Sequence, residues 1–275
     1  MKHRARVNLW LLAALAGGAW LVWHELREPV EAPRVERVTE LAPAEVRRLS
    51  IVREADGRVL EFLRASGRWW LMRDSRLPAD AVRVGEVLRL AAAASETSYE
   101  LADVDLREVG LDPPRARVVI DGNELRIGAQ APLNYRRYVA SKGRLYLVAD
   151  TAYVHLGADW PAFVDPSPLA GLPEPSAVSA PGWNAERRED GLWHGGDDPR
   201  AAGYATAWTA LVADLVRERQ LPATAEPVAL QFTFADGSKR KLLAWSRDGR
   251  WWVAWNDGPV QYAVPAGRVD DLGLD

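Results

Sequence analysis

From Leu49 onward, the sequence consists of short runs of alternating apolar and polar residues that are separated by turn pairs. The first runs are LSIVRE, RVLEFLR and RWWLM, with Asp56-Gly57 and Ser66-Gly67 between them. Alternation places successive side chains on opposite faces of a strand, and such pairs connect antiparallel strands. Four more strand-like runs follow Pro114, namely RVVI, ELRIG, RRYVAS and RLYLVA. The pattern predicts an α+β protein with mostly antiparallel sheets.

The second half of the chain repeats the order of elements of the first half. Pro78-Ala79-Asp80 opens a predicted helix from Ala81 to Ala94, in which apolar residues recur at spacings of three and four. At a shift of about 115 to 124 residues, this helix falls on residues 205–217, and Asp121-Gly122 falls on Asp236-Gly237. The repeat predicts two related lobes with one packed helix each, through duplication or through chance similarity of hairpins.

The chain is expected to divide at changes of composition. Residues 28–43 mix Pro, Glu, Arg and Val without strand or helix periodicity, and residues 161–181 are rich in proline. The predicted parts are a cytoplasmic tip and anchor (1–27), a linker (28–44), a first α+β lobe (45–160), a proline-rich linker (161–181) and a second, degenerate lobe (182–275).

Fifteen apolar or small residues, Leu9 to Trp23, follow the basic residues Lys2, Arg4 and Arg6. With two flanking residues, the run makes about 25 Å of helix, at the low end for spanning a bilayer. A cleaved signal peptide is disfavoured because no small-residue site follows Trp23, and a core helix is disfavoured because the run has no polar stripe. We expect a single-pass anchor in the inner membrane, with a cytoplasmic amino terminus and a periplasmic bulk.

Composition excludes several other classes of protein. The chain has no cysteine, so neither disulfides nor a lipidated cysteine contributes to stability or anchoring. Its net charge is −3 without a long run of one sign, which argues against a nucleic-acid partner. The abundant arginines are interpreted as solvated side chains.

Several short motifs occur in a fixed order in the first lobe. They are Trp70-Leu71, Pro78-Ala79-Asp80, Gly110-Leu111-Asp112 with Pro113 and Pro114, Ile127-Gly128 and Tyr138-Val139. Together they resemble the domain-of-unknown-function family 4340, over roughly residues 45 to 160. The motif residues suit helix capping, tight turns and a fixed exit direction, which are determinants of fold. This fold signature comprises Trp70, Pro78, Asp80, Gly110, Asp112, Pro113, Gly128 and Tyr138.

The resemblance also implies a context. Members of this family are expected to be anchored extracytoplasmic proteins that accompany an ABC-type transport system of the gliding-motility auxiliary kind. The resemblance therefore implies the membrane bilayer and an ABC-type permease or auxiliary subunits as partners, and a non-catalytic accessory or scaffold role.

Candidate catalytic groups are few. His155 and His194 lie far apart and lack metal-ligand spacing, and Ser238 with Lys241 falls in a predicted hairpin rather than on a helix. The acidic pairs Asp103 with Asp105 and Asp197 with Asp198 lack the loop of a calcium site and are interpreted as solvated. We therefore predict no enzyme activity, no cofactor and no metal, with a hydrolase as the second alternative.

Tryptophan is the one residue type that is over-represented in the chain, with thirteen residues. Strand alternation places Trp251 and Trp255 on one face and Trp252 on the other, and Trp245 precedes them on a neighbouring run. These four side chains fill a core, form a partner surface, or stack on sugar rings. The last option makes an envelope glycan-binding module the first alternative function.

Overall fold

The computed structural model describes residues 15–18, 20, 23, 35–132, 135–220 and 226–274. Within the described residues from 35 onward it contains three α-helices, α1 (Ala81–Arg89), α2 (Tyr153–Leu156) and α3 (Ala201–Thr209), and four short 3-10 turns, Leu101–Asp103, Trp160–Phe163, Ala266–Arg268 and Asp270–Leu272. The strands in chain order are β1 (Glu36–Arg37), β2 (Arg48–Arg53), β3 (Arg58–Ala65), β4 (Arg68–Met72), β5 (Arg76–Pro78), β6 (Ala94–Ser95), β7 (Ser98–Glu100), β8 (Ala116–Ile120), β9 (Asn123–Gln130), β10 (Arg136–Ser141), β11 (Arg144–Ala149), β12 (Pro175–Ala180), β13 (Trp183–Arg187), β14 (Trp193–Gly195), β15 (Leu215–Glu218), β16 (Val228–Phe234), β17 (Lys239–Arg247), β18 (Arg250–Trp255) and β19 (Val260–Ala263).

Two large sheets make up the fold. The first has nine strands in the order β5-β4-β3-β2-β8-β9-β10-β11-β7, and the second has eight in the order β14-β13-β12-β16-β17-β18-β19-β15. Neighbouring strands are antiparallel throughout both sheets. The expectation of an α+β protein with mostly antiparallel sheets is confirmed.

Both sheets use the same order of elements. Apart from β5, each sheet begins with its third strand, followed by its second and its first. The last four strands come next in sequence order, and the sheet ends with a strand that lies, along the chain, between the nine-residue helix and those four. The turns Asp121-Gly122 and Asp236-Gly237 join β8 to β9 and β16 to β17, at equivalent places in the two sheets. The sheets agree in this way with the repeat seen in the sequence, and its origin by duplication stays a prediction.

Helix α1 is shorter than predicted, since it ends at Arg89 rather than Ala94. The chain leaves the helix because residues from a distant segment bond to the backbone beyond it. The hydroxyl of Thr39 donates to the carbonyl of Ala91 over 2.9 Å, and the amide of Val38 donates to the carbonyl of Ala93 over 3.0 Å. Ala94–Ser95 then pairs with β1.

Helix α3 covers Ala201–Thr209, whereas the repeat predicted a helix over residues 205–217. The amide of Ala213 donates to the carbonyl of Pro166 over 3.0 Å, and β15 pairs with β19. Residues 215–217, which were predicted as the end of the helix, therefore belong to strand β15 instead.

Residues 161–181, predicted as a linker, are bound into both sheets. At one end, the amide of Asp80 donates to the carbonyl of Phe163 over 2.8 Å, and the amide of Asp165 donates to the carbonyl of Pro78 over 2.9 Å. At the other end, β12 pairs with β13 and β16. One hydrophobic cluster contains buried residues from both sheets, and the segment runs along it.

The predicted membrane anchor is described only at residues 15–18, 20 and 23, which are helical. Within the part of the chain that the structure describes, no helix is both long enough and apolar enough to cross a bilayer. The structure gives no support to the spanning helix, and most of Leu9 to Trp23 lies outside the described residues. Of the linker at 28–44, residues 28–34 also lie outside them, and Glu36–Arg37 forms β1.

Candidate functional site: a cleft between the two sheets

Three residues of the fold signature lie where the connecting segment meets the first sheet. Trp70 and Pro78 are cross-strand neighbours on β4 and β5. Gly171 packs on both of them, and a Cβ added to it would lie 2.9 Å from Pro78 Cγ and 3.0 Å from Trp70 Cη2. Asp80 caps α1, because its side chain accepts from the amides of Val82 (2.9 Å) and Arg83 (3.2 Å). This group of residues fixes the path of the segment that leads to the second sheet.

Replacing Asp80 with alanine should lower the free energy of unfolding by about 1 kcal/mol, because two amides at the start of α1 lose their acceptor. Asp80→Ser keeps an acceptor and should stay within about 0.5 kcal/mol of the parent. Asp74→Ala, in the exposed turn between β4 and β5, is the matched control. Urea unfolding measures all three, and equal stability of the alanine and serine variants would contradict the capping role.

The other signature residues meet on the outer face of the first sheet, which is the face that does not contribute to the main hydrophobic cluster. The turn that contains Gly110, Asp112 and Pro113 folds onto β9 and β10, where the amide of Ala129 donates to the carbonyl of Val109 over 2.8 Å. Gly128 leaves room for this turn, since a Cβ at that position would lie 3.2 Å from Leu111 Cγ and 3.2 Å from Tyr138 Cβ. Gly110 has a φ of 65°, and the Asp112–Pro113 peptide is cis. A small buried cluster forms beneath the turn, with Val109, Leu111, Ala140 and Leu145 at its centre and Tyr138 packed against it.

A cleft with a volume of about 590 Å³ lies between the two sheets. Its walls come from the adjoining ends of β2 and β3, the segment at residues 156–162, and the edge strand β15. We call this the inter-sheet cleft. Its charged lining residues are Arg53, Arg58, Arg73, Asp159, Arg217 and Glu218.

One side of the inter-sheet cleft is an ion network. Arg53 pairs with Asp56 and, at 3.2 Å, with Asp159, and it donates to the carbonyl of Gly157 over 2.6 Å. Arg58 pairs with the same two carboxylates. The hydrogen bond from Arg53 lowers the pKa of Asp56 and, in return, raises the pKa of Arg53. On this side, positive and negative groups compensate one another.

The other two arginines of the cleft are stacked on indole rings. The Arg73 guanidinium lies 4.4 Å from the centroid of Trp160, and that of Arg217 lies 3.7 Å from the centroid of Trp252. Neither forms an ion pair with any residue in the described ranges. The residues that line the inter-sheet cleft therefore carry more positive than negative charge. Arg73 is exposed, and Arg217 lies against Trp252 at the edge strand β15.

With this geometry in view, comparison with known proteins places the chain in one family. Residues 69–231 match a domain of unknown function, DUF4340. The chain belongs to the DUF4340 family. Neither the curated proteins nor the solved structures contain a match to it.

The DUF4340 match differs in extent from the resemblance seen in the sequence, which covered residues 45–160. The match begins in β4 and ends in β16, so it spans parts of both sheets and the segment between them. It contains the whole fold signature together with Arg73 and Arg217 of the inter-sheet cleft. The DUF4340 region is thus centred on the junction between the sheets.

The four tryptophans offered as a partner surface lie outside the DUF4340 match, and three are core residues. Trp245, Trp252 and Trp255 are 3%, 4% and 6% exposed, and Trp251 is half-buried. The predicted alternation holds, because Trp251 and Trp255 join the main core while Trp245 and Trp252 form a cluster on the opposite face. The burial of Trp245, Trp252 and Trp255 favours the first of the three possibilities, a core role, and the partner surface stays a prediction.

The candidate catalytic groups of this DUF4340 protein do not come together. His194 Nε2 lies 3.1 Å from Asp190 Oδ2 within one hairpin, and His155 belongs to α2. Ser238 donates to Asp236 over 2.6 Å at a turn, while Lys241 lies in β17. No group of three His, Cys, Asp or Glu side chains suited to a metal occurs among the residues that the structure describes.

The acidic pairs take local structural roles. Asp105 accepts from the amide of Arg107 over 2.9 Å, and Asp198 accepts from the amide of Arg200 over 2.8 Å. The second of these bonds lowers the pKa of Asp198. Such contacts between residues two apart are typical of turns.

Sequence reasoning missed the inter-sheet cleft. The arginines were interpreted as solvated side chains; Arg73 is exposed but lies against an indole ring, and Arg217 is half-buried against another. Each stacking partner is distant in sequence from its arginine, so no local motif marks the pair. The one available signal was the abundance of arginine and tryptophan together.

Proposed function

We propose that this protein is a non-catalytic accessory subunit of a membrane complex, and that it holds an acidic segment of a partner protein in the inter-sheet cleft. The observation that carries the proposal is the pair of indole-stacked arginines, Arg73 and Arg217, which lack ion-pair partners among the described residues. A stacked guanidinium keeps its donors in a fixed plane and can bind a carboxylate through two parallel hydrogen bonds. The cleft is large enough for a few side chains of such a segment.

The nature of the complex rests on the sequence. The apolar run Leu9 to Trp23 and its basic flank favour an anchor in the inner membrane with a periplasmic bulk. The family resemblance favours an ABC-type permease or its auxiliary subunits as partners. Positive charge in the cleft would select an acidic loop of such a subunit and raise the rate of association.

The glycan-binding and hydrolase alternatives gain no specific observation from the described residues. Glycan binding depended on exposed tryptophans, and three of the four are buried. Hydrolysis depended on a histidine that meets both a carboxylate and a hydroxyl, and the side-chain hydrogen bond of His194 among the described residues is to the carboxylate of Asp190.

The test is extraction of tagged full-length protein in a gentle detergent, followed by mass spectrometry of what is recovered with it. We expect permease or ATPase subunits to be recovered with the full-length chain and to be lost when residues 1–27 are deleted. Arg73→Glu should reduce their recovery about tenfold, because it places a like charge against the acidic segment. Arg115→Glu, at an exposed position immediately before β8, is the matched control.

Two results would contradict the proposal in different ways. Unchanged recovery with Arg73→Glu would remove the inter-sheet cleft from the interaction. Recovery of the protein alone, with its soluble part sedimenting with cell wall, would overturn the accessory role and favour the glycan-binding module.

A further inference from the structure

Three arginines lie on the outer face of the second sheet, beside Trp252. Arg247 and Arg250 are directly opposed at the end of the β17–β18 hairpin. They share a face with the opposed pair Trp245 and Trp252, since side chains two residues apart on a strand point the same way. Arg217 reaches this face from β15 and stacks on Trp252. We call Arg217, Arg247 and Arg250 the arginine cluster.

The charges of the arginine cluster act on one another. Burial lowers the pKa of Arg217, and the positive charges of Arg247 and Arg250 lower it further. Like charges placed directly opposite each other on neighbouring strands destabilise a sheet. The repulsion among the three guanidinium groups is therefore unfavourable unless a negatively charged group lies close to them.

The described part of the chain supplies little of that charge. Asp248 lies 3.7 Å from Arg247 but is 92% exposed, so solvent weakens the pair. Gln220 accepts a long hydrogen bond of 3.5 Å from Arg247. Arg217 Nε is buried and has no hydrogen-bond partner among the described residues.

We propose that the arginine cluster binds a phosphoryl group, carried by a soluble phosphate or by a lipid headgroup. A phosphoryl group bears close to two negative charges at neutral pH and presents several acceptor oxygens. Guanidinium groups match these oxygens through paired hydrogen bonds. Its binding would offset the repulsion within the cluster.

This inference goes beyond the proposed function, because Arg247 and Arg250 do not line the inter-sheet cleft. The two sites share only Arg217. Variants at Arg247 and Arg250 therefore test the phosphoryl site, and Arg73→Glu tests the cleft.

The experiment is a titration of full-length protein in neutral detergent micelles, followed by tryptophan fluorescence, since Trp252 carries the stacked Arg217. One arm adds inorganic phosphate at constant ionic strength, and the other adds phosphatidic acid to the micelles, with phosphatidylcholine as the comparison. We expect saturable binding in at least one arm. Arg247→Gln/Arg250→Gln should weaken it at least tenfold, while Arg115→Gln leaves it unchanged.

Each outcome has a defined meaning. Binding of inorganic phosphate that the double variant loses supports the site with a soluble ligand. Binding of phosphatidic acid alone, also lost in the double variant, supports the site with a lipid headgroup. Absence of saturable binding in both arms, or binding that the double variant retains, overturns the proposal. Because Arg247 and Arg250 are exposed, the double variant should fold normally, and circular dichroism checks this.

Discussion

Replacing Asp150 with alanine is expected to lower the free energy of unfolding by about 3 to 5 kcal/mol. Asp150 pairs with Arg137 through two nitrogen–oxygen distances of 2.7 Å, and their side chains are 13% and 7% exposed. Arg137 also donates to the carbonyl of Gly128 over 2.8 Å and lies 3.4 Å from the ring centroid of Tyr153. Alanine at position 150 leaves this guanidinium charged, buried and without its counterion.

Urea unfolding of the single and double variants measures the effect. Arg137→Met/Asp150→Ala should be more stable than Asp150→Ala alone, because removal of both charges removes the uncompensated one. Asp257→Ala breaks an exposed pair with Arg240 and should cost at most about 1 kcal/mol. A loss of less than about 1 kcal/mol for Asp150→Ala would show that water reaches Arg137 in solution.

Gly128→Ala should destabilise the protein by about 3 kcal/mol. The added Cβ would overlap the carbonyl oxygen of Val109 and lie 3.2 Å from side-chain atoms of Leu111 and Tyr138. The backbone cannot easily withdraw, because the carbonyl of Val109 is bonded to the amide of Ala129 at 2.8 Å. The turn over the outer face of the first sheet would have to move as a whole.

A second glycine serves as the control. Gly85 lies inside α1, and no atom lies within 4 Å of a Cβ built on it. Gly85→Ala should therefore stabilise the protein by up to about 1 kcal/mol, through helix propensity alone. Thermal unfolding followed by circular dichroism compares the two variants, and a Gly128→Ala protein as stable as its parent would contradict the packing argument.

The features that the sequence predicted correctly are local ones. The pairs Asp121-Gly122 and Asp236-Gly237 connect antiparallel strands, as their residue types require. The two faces of β18 were also correctly assigned, because alternation depends only on the neighbouring residues. Local rules of this kind are sufficient for strands, turns and the general class of fold.

The features that the sequence did not predict depend on contacts between distant segments. The end of α1 is set by Val38 and Thr39, which lie far upstream. The burial of Trp252 depends in part on Arg217, which arrives from another strand. The inter-sheet cleft likewise exists only where the first sheet, the segment at 156–162 and β15 meet. These contacts cannot be predicted from the residue pattern of any single strand or helix.

The lengths of the outermost strands bear on the behaviour of the protein at high concentration. Each sheet ends on both sides in a very short strand, since β5, β7 and β14 have three residues and β15 has four. A long, open edge would offer its free amides and carbonyls as a template for another chain, and short edges limit such recruitment. The short edge strands therefore limit edge-to-edge aggregation of the two wide sheets.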